Sequence, residues 1–417
     1  MTDLANRPRS LVVGAGIVGL CTAYHLHRAG HAVTVVDTEE PGNACSSGNA
    51  GSISIGSVVP LGMPGVLSQA PRMLLDPNGP LSVPPHYWLR AAPWLRRFVQ
   101  ASTAKNVEHI ALALHRLVSP ALNHHRRIMR DLGGLGLIQE SGQLQLYPDE
   151  ASVNKDRGGW KLREQYGVRA EKVGVDRIRE LEPAVGPLYT TGYFLPDHAA
   201  VINPGRQARL IADQLQQRGV SFIRDEIECL ILIEGSVRGA RSAGGTYEAA
   251  HTVICAGAWS QEIIAPQGYA LPLESQRGYH LEFPNSNVRL NRTVVAADRK
   301  IFVTDMEDGL RAAGTVEFGG LERPANVRRA LALQEHVQRL LPSLRIDQPP
   351  RVWMGHRPCM PDSLPVIGAS RHAGLWFNFG HGHLGLTMSA FSGYLTAQVI
   401  QGLQPDIDLE PYTYRRF

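Results

Sequence analysis

The chain has 417 residues, more than one hydrophobic core usually supports, so two domains are expected. Hydrophobic residues make up 43% and charged residues 19%; the net charge is only +4 and no Lys/Arg block is present, which argues against nucleic acid as a partner. Five scattered cysteines without a CxxC pair argue against a disulfide framework and a structural zinc site, and no apolar run reaches the ~18 residues of a membrane span, so a cytoplasmic location is expected.

The first predicted element is a buried strand over residues 10–13. Arg7 and Arg9 precede it in the manner of a secretory signal, but glycines at a meaningful spacing break the apolar run, which reads as mature protein. Gly14, Gly16 and Gly19 form G-x-G-x-x-G at the start of an apolar helix that Gly30 stops. A second buried strand, "AVTVVD", ends in Asp37, so the unit reads βαβ. Gly14 permits the tight turn, Gly16 lets backbone approach a pyrophosphate, and Gly19 lets helix pack on strand. The helix start presents N–H groups to phosphates, and Asp37 can accept from a ribose diol. This is a dinucleotide site, and the motif alone leaves NAD and FAD both open. The small, polar stretch 44–56, "ACSSGNAGSISIG", fits a loop laid along an extended ligand, the alternative being an ordinary surface loop.

Residues 57–103 are apolar, rich in Pro, Met, Trp and Tyr, and without clear periodicity. They read as a buried wrap or short helices. The sharper alternative is a lid, a substrate wall, or a membrane-contacting surface where Arg90, Arg96 and Arg97 meet anionic lipid. Residues 105–131 predict one long helix or a Pro-kinked pair, with His109, His115, His124 and His125 mostly on its solvated face. Strands follow at "GQLQLYP" and "GYFLP", a helix from Pro204 to Gly219, and then a meander ending in "HTVICAGAWS". That last strand delivers Ala256, Gly257, Ala258 and Trp259 close to something flat or phosphorylated. "SQRGYHLEF", "KIFVTD" and "LRAAGTVEFGG" predict a mixed sheet that floors a substrate pocket, and "NVRRALALQEHVQRLLP" a helix.

Near the C-terminus, Arg357 ends a strand and is fixed by Pro358. "LWFNF" is a buried strand, "GHGHLG" a turn and "LTMSAFSGYLTAQVI" a helix, so a second glycine turn meets a helix start able to stabilise negative charge on a flavin. The His381-x-His383 pair invites a metal reading, but further ligands are lacking apart from His356. No metal is expected, and the glycines are taken as a backbone cradle. A planar guanidinium at Arg357 suits a carboxylate held in a fork, the alternative being a structural salt bridge.

Taken together, "GAGIVG" with Asp37, "SSGNAGSIS", "VICAGAWS", "HRPCMPDSLPVIG" and "FNFGHGHLGLTMSAFSG" resemble, in that order, the FAD-dependent D-amino-acid oxidase superfamily. Within it they are most similar to bacterial D-amino-acid dehydrogenases, including D-hydroxyproline dehydrogenase-type members. The resemblance spans nearly the whole chain. It implies an α/β fold with a Rossmann-like FAD-binding domain from residues 1–56, 196–265 and 351–417. A mixed-sheet α+β substrate domain would come from 57–195 and 266–350.

By the same resemblance Gly14, Gly16, Val18, Gly19 and Asp37 hold the ADP half, and Ser46, Ser47, Gly48, Asn49, Ala50 and Gly51 run along pyrophosphate and ring. Ile227, Ala256, Gly257 and Trp259 meet the nucleotide. Gly380, His381, Gly382, His383, Leu384, Gly385 and Leu386 hold the isoalloxazine of a non-covalent FAD. Arg357 takes the carboxylate of a D-amino acid, Tyr279 assists it, and His383, where many such dehydrogenases carry a small residue, shapes the side-chain pocket. Electrons pass to a quinone-type acceptor, with residues 57–103 as a peripheral contact on the inner membrane face. The alternatives are an O2-using glycine or sarcosine oxidase or demethylase, and a non-catalytic flavin-binding subunit of a larger amine dehydrogenase.

Overall fold

Continuous apolar runs such as "LVV" and "VICA" suit strands buried on both faces, and in the computed structural model, which describes residues 7–65 and 81–417, they form a parallel sheet. Its spatial order is Ser221–Arg224, Ala32–Asp37, Arg9–Val13, His251–Ile254, Leu375–Phe379 and Val366–Ala369. The first five strands run parallel and the last is antiparallel. The carboxyl ends at Val13, Asp37, Ile254 and Phe379 therefore share one edge, where open α/β sheets bind ligands.

Helices Ile17–Arg28 and Gly385–Ile400 lie across one face of this sheet on a core that includes Val12, Val35 and Val253. They touch backbone to backbone: a Cβ on Gly393 would come within 2.8 Å of the Cys21 carbonyl carbon. The antiparallel meander Ile227–Ile233, Ser236–Ser242 and Gly245–Glu248 covers the other face, where Leu11, Val13 and Ile254 meet Leu230 and Val237.

A second, nine-stranded mixed sheet carries the order Arg351–Cys359, Glu274–Phe283, Gly309–Phe318, Ile301–Met306, Thr293–Ala296, Gln143–Tyr147, Thr191–Leu195 and Glu171–Gly174, with Leu81–Ser82 joined to Gly309–Phe318. Helix Val327–Leu340 packs Leu333 and Val337 against Tyr279, Leu281 and Ala312 on one face. Residues 351–359, expected with the nucleotide-binding segments, are instead the edge strand of this sheet. They pair with Glu274–Phe283 along their whole length.

Residues 105–131, expected as one long helix or a Pro-kinked pair, are two helices, Ala104–Val118 and Ala121–Asp131, separated at Ser119 and Pro120. The reading of its histidines needs correction. His109 is exposed, but His124 and His125 are buried against helix Gly385–Ile400. His124 stacks at a tilt on Phe391 and Tyr394, and His125 Nε2 lies 2.8 Å from the Leu386 carbonyl. A neutral imidazole packs as a flat ring, and burial pushes His124 down to about 4.

Within 57–103, residues 66–80 lie outside the described residues. Residues Trp88–Ala101 form a helix whose Ala91 and Trp94 pack with Tyr87 and Phe318, leaving Trp88, Leu89, Arg90, Arg96 and Arg97 exposed. No helix among the described residues is long and apolar enough to cross a membrane.

Candidate active site

The two glycine turns meet at the carboxyl edge of the parallel sheet. Gly14 has φ +110°, and a Cβ there would sit 2.5 Å from the Cys255 carbonyl oxygen; one on Gly19 would sit 1.8 Å from the Gly14 oxygen. Both positions therefore require glycine, and Gly14 backs directly onto Cys255 and Ala256. A Cβ on Gly16 would only reach Ser46 Oγ at 3.5 Å, so this glycine opens space over the helix start. Val18, in the first turn of that helix, is half-buried. Asp37 performs a task that the sequence did not disclose: its Oδ2 accepts from Ala15 N at 2.6 Å and its Oδ1 from Glu39 N at 2.9 Å, pinning the turn. Asp225 N donates to the Asp37 carbonyl, which brings the start of the Ile227–Ile233 strand to the same edge.

The loop Ser46–Gly51 is held from both sides. Ser46 Oγ accepts from Ile17 N at 2.9 Å and so caps the first helix. From the large sheet, Arg311 Nη1 donates to the Ser47 and Asn49 carbonyls, each at 2.8 Å, while its Nη2 bonds Glu282 at 2.8 Å. His280 Nδ1 lies 3.0 Å from the Gly48 carbonyl, and Thr304 Oγ1 donates to the Ala50 carbonyl at 3.0 Å. Gly51 O accepts from Val201 N. Gly48 must be glycine, because a Cβ would fall 2.2 Å from the Trp353 ring. Cys45 completes the docking by exchanging hydrogen bonds with the His356 backbone. Beside it Trp259, 38% exposed, meets the His356 ring edge-on at 5.2 Å. A Cβ on Gly257, where φ is +55°, would meet none of the described residues within 4 Å, so this residue faces open space among them.

The second turn has positive φ at Gly380 and Gly382 and leads into helix Gly385–Ile400, whose start receives no side-chain cap from the described residues. Thr387 Oγ1 anchors it to Ser52 O and Ser54 N, and His125 holds the Leu386 carbonyl. The two histidines part company. His381 is buried, with Nε2 3.1 Å from Ser392 Oγ, whereas His383 opens onto the cleft with Nε2 3.4 Å from Gln276 Oε1. Surrounding protein, with the Arg357 charge adding to it, pushes the His383 pKa down and keeps it neutral. Among the described residues no group of three His, Cys, Asp or Glu is placed to hold a metal ion.

Arg357 lies on the sheet face turned to this cleft. Its guanidinium rests flat over Gly278, where a Cβ would come within 2.1 Å of Cζ. Its hydrogen bonds go to the Thr315 carbonyl at 2.8 Å and the Gly314 carbonyl at 3.4 Å, and no carboxylate pairs with it among the described residues. Burial disfavours its charged form.

Tyr279, expected beside Arg357, is on the opposite face of the sheet. It is 1% exposed, donates its hydroxyl proton to Glu317 and accepts from Asn326 N at 3.0 Å. The alternation along "ESQRGYHLEF" carries the signal: Arg277, Tyr279, Leu281 and Phe283 take the core side, and Gln276, Gly278, His280 and Glu282 the cleft side. Gln276, His280, Arg311 and Trp353 are the cleft residues that sequence reasoning missed.

Comparison with known proteins follows the same geometry. Residues 9–399 match the family described as FAD dependent oxidoreductase. A D-amino-acid oxidase of Bradyrhizobium diazoefficiens is 37% identical over 413 residues, 97% of this chain and 98% of the relative. A D-amino acid dehydrogenase of the same organism is 31% identical over 98% of each chain. The crystal structure of glycine oxidase from Geobacillus kaustophilus superposes with a TM-score of 0.75 at 20% identity, covering 98% of this chain and 99% of that one. Two glycine turns at helix starts, an acid at the second strand end and open space over Gly16 and Gly257 suit FAD. This chain belongs to the family of FAD-dependent oxidoreductases.

Proposed function

We propose that the protein oxidises D-amino acids, with Arg357 as the carboxylate anchor. The observation that carries this reading is a guanidinium that faces the cleft and, among the described residues, has only backbone carbonyls as hydrogen-bond partners. A cation so placed is stabilised by an incoming anion, and a forked pair supplies two charge-assisted bonds of about 1.5–3 kcal/mol each. The names of the 37% and 31% identical relatives support a D-amino acid as the ligand.

FAD, when bound, supplies the two-electron acceptor for the hydride leaving Cα. The protein's own part is placement. Arg357 fixes the carboxylate, the Ser46–Gly51 loop and the Gly380–Leu386 turn fix the cofactor, and the cleft limits how the Cα–H can lie. The Cα–H bond breaks with departure of hydride as the amine lone pair forms C=N, and the amine N–H proton passes to solvent; water then hydrolyses an open-chain imino acid to a 2-oxo acid and ammonia, whereas the product of D-proline or D-hydroxyproline stays cyclic. Among the described residues we assign the cofactor unit to 7–56, 196–265 and 360–417 and the substrate unit to 57–65, 81–195 and 266–359.

The physiological acceptor in this reading is a quinone, in keeping with the dehydrogenase names of relatives at 30–33% identity. The exposed Trp88, Leu89, Arg96 and Arg97 would meet the membrane surface. A second reading, use of O2, is favoured by the oxidase name of the 37% identical relative. Oxygen consumption against dye reduction in the same preparation separates the two.

The test of the main reading is an anaerobic titration of the flavin-loaded protein with D- and L-amino acids. Bleaching by D-enantiomers only is expected. Arg357→Ala should keep its flavin and lose kcat/KM by about a hundredfold or more, the equivalent of losing one good charge-assisted bond. Undiminished kcat/KM in that variant sinks the assignment.

A further inference from the structure

Gln276 sits directly opposite Arg357 in the antiparallel pair Glu274–Phe283 and Arg351–Cys359, so both side chains leave the same face of the sheet. Directly opposed residues have their Cβ atoms about 5 Å apart, close enough for two side chains to grip neighbouring groups on a single carbon. Gln276 is 4% exposed at that position, and its Oε1 meets His383 Nε2 at 3.4 Å. That distance is at the limit of a hydrogen bond, so the amide is steadied without being saturated. Gly278 and Gly355, the next pair along the cleft face, bring no side chain of their own between Arg357 and the bound molecule.

We propose that Gln276, steadied by His383, receives the α-amino group of the amino acid whose carboxylate Arg357 holds. This rests on the D-amino-acid reading given above and adds a second anchoring point to it. The amide oxygen accepts an N–H of the amine. With carboxylate and amine both fixed, only one enantiomer directs its Cα–H toward the cofactor. The uncharged amide suits this place physically. A carboxylate here would pair with Arg357 and quench the anion site, and it would also hold the amine as ammonium, which has no lone pair to drive hydride departure. His383 is neutral in the same surroundings, so it brings no positive charge against the amine.

The test compares two probes that differ only in the amine: D-alanine, from the concentration dependence of anaerobic flavin bleaching, and propionate, from perturbation of the flavin band. In Gln276→Leu, D-alanine binding should weaken about ten- to a hundredfold, the loss of one hydrogen bond to a charged or polarised group, while propionate binding changes less than about twofold. Gln276→Met, of nearly the same length, should behave alike if the Leu variant loses its flavin. Equal weakening of both probes, or of neither, overturns the role given to Gln276. A wild-type flavin that responds to propionate but to no D-amino acid overturns the D-amino-acid reading itself, and this assignment with it.

Discussion

Arg311 shows how much of this site depends on a residue that carries no motif. One guanidinium joins the Ser47 and Asn49 carbonyls to the Glu282 carboxylate, and it is 8% exposed while doing so. Replacing it takes a donor from two half-buried carbonyls and from the Glu282 carboxylate, which keeps Arg351 as a second partner, for a total cost of about 1–3 kcal/mol. Arg311→Met should therefore release FAD more readily, with a Kd raised about tenfold or more, while the far-ultraviolet circular dichroism stays native. An unchanged Kd, measured by recovery of free flavin fluorescence, would show that the loop holds its course without Arg311. The glycine motifs were legible because sterics leave no other residue possible at Gly14 or Gly19. Arg311 was not, since an arginine in a strand looks the same whether it meets solvent or a loop about 260 residues away. Tyr279 was misplaced for a related reason. Its neighbour Gly278 faces the guanidinium, and one residue of register carries a side chain to the other side of the sheet.

Among the elements, the crossing of helices Ile17–Arg28 and Gly385–Ile400 is the most demanding contact. Both helix starts face the cofactor edge, and Gly393 lets their backbones meet. Gly393→Val would place a branched side chain where a Cβ already comes within 2.8 Å of backbone carbon, nitrogen and, at 3.0 Å, oxygen. The expected cost is about 1–3 kcal/mol of overpacking, together with weaker FAD binding because the two helix starts move apart. Thermal melts with and without added FAD test this; an unaltered melting temperature would mean that the crossing relaxes freely. The strands and helices themselves were readable from period and punctuation, including the break at Pro120. What could not be read was which neighbour each face would find. His124 and His125 look polar in sequence, and become core when the apolar surface of Gly385–Ile400 is laid over them. The strand at 351–359 likewise belongs to whichever sheet offers it an edge, a long-range choice that no local pattern records.

At the scale of the whole molecule, buried neutral histidines link stability to pH. His124 and His280 are pushed down to about 4, and His198 and His381 to about 3, burial being the main cause in each case. Between those values and the ordinary 6.5 the unfolded chain binds protons that the folded chain refuses. Stability is thus complete above pH 6.5 and lost as pH falls toward 4, each such histidine contributing up to about 1.4 kcal/mol per pH unit. The melting temperature should be level from pH 7 to 8 and drop steadily below pH 6. A melting temperature that stays flat down to pH 5 would contradict the burial of these rings.

The order of strands in the parallel sheet also bears on how the chain is made. Arg9–Val13 has its neighbours at Ala32–Asp37 and, far later in the chain, His251–Ile254, and beyond them lies Leu375–Phe379. Until that last strand and helix Gly385–Ile400 have been translated, His251–Ile254 keeps an open edge, and the face of helix Ile17–Arg28 that meets Gly393 lacks its cover. The turn at Gly380–Leu386 comes after that strand and is made after it. A nascent chain therefore carries an adhesive sheet edge from the making of His251–Ile254 until that of Leu375–Phe379, and the two glycine turns can act together only once Gly380–Leu386 has been made.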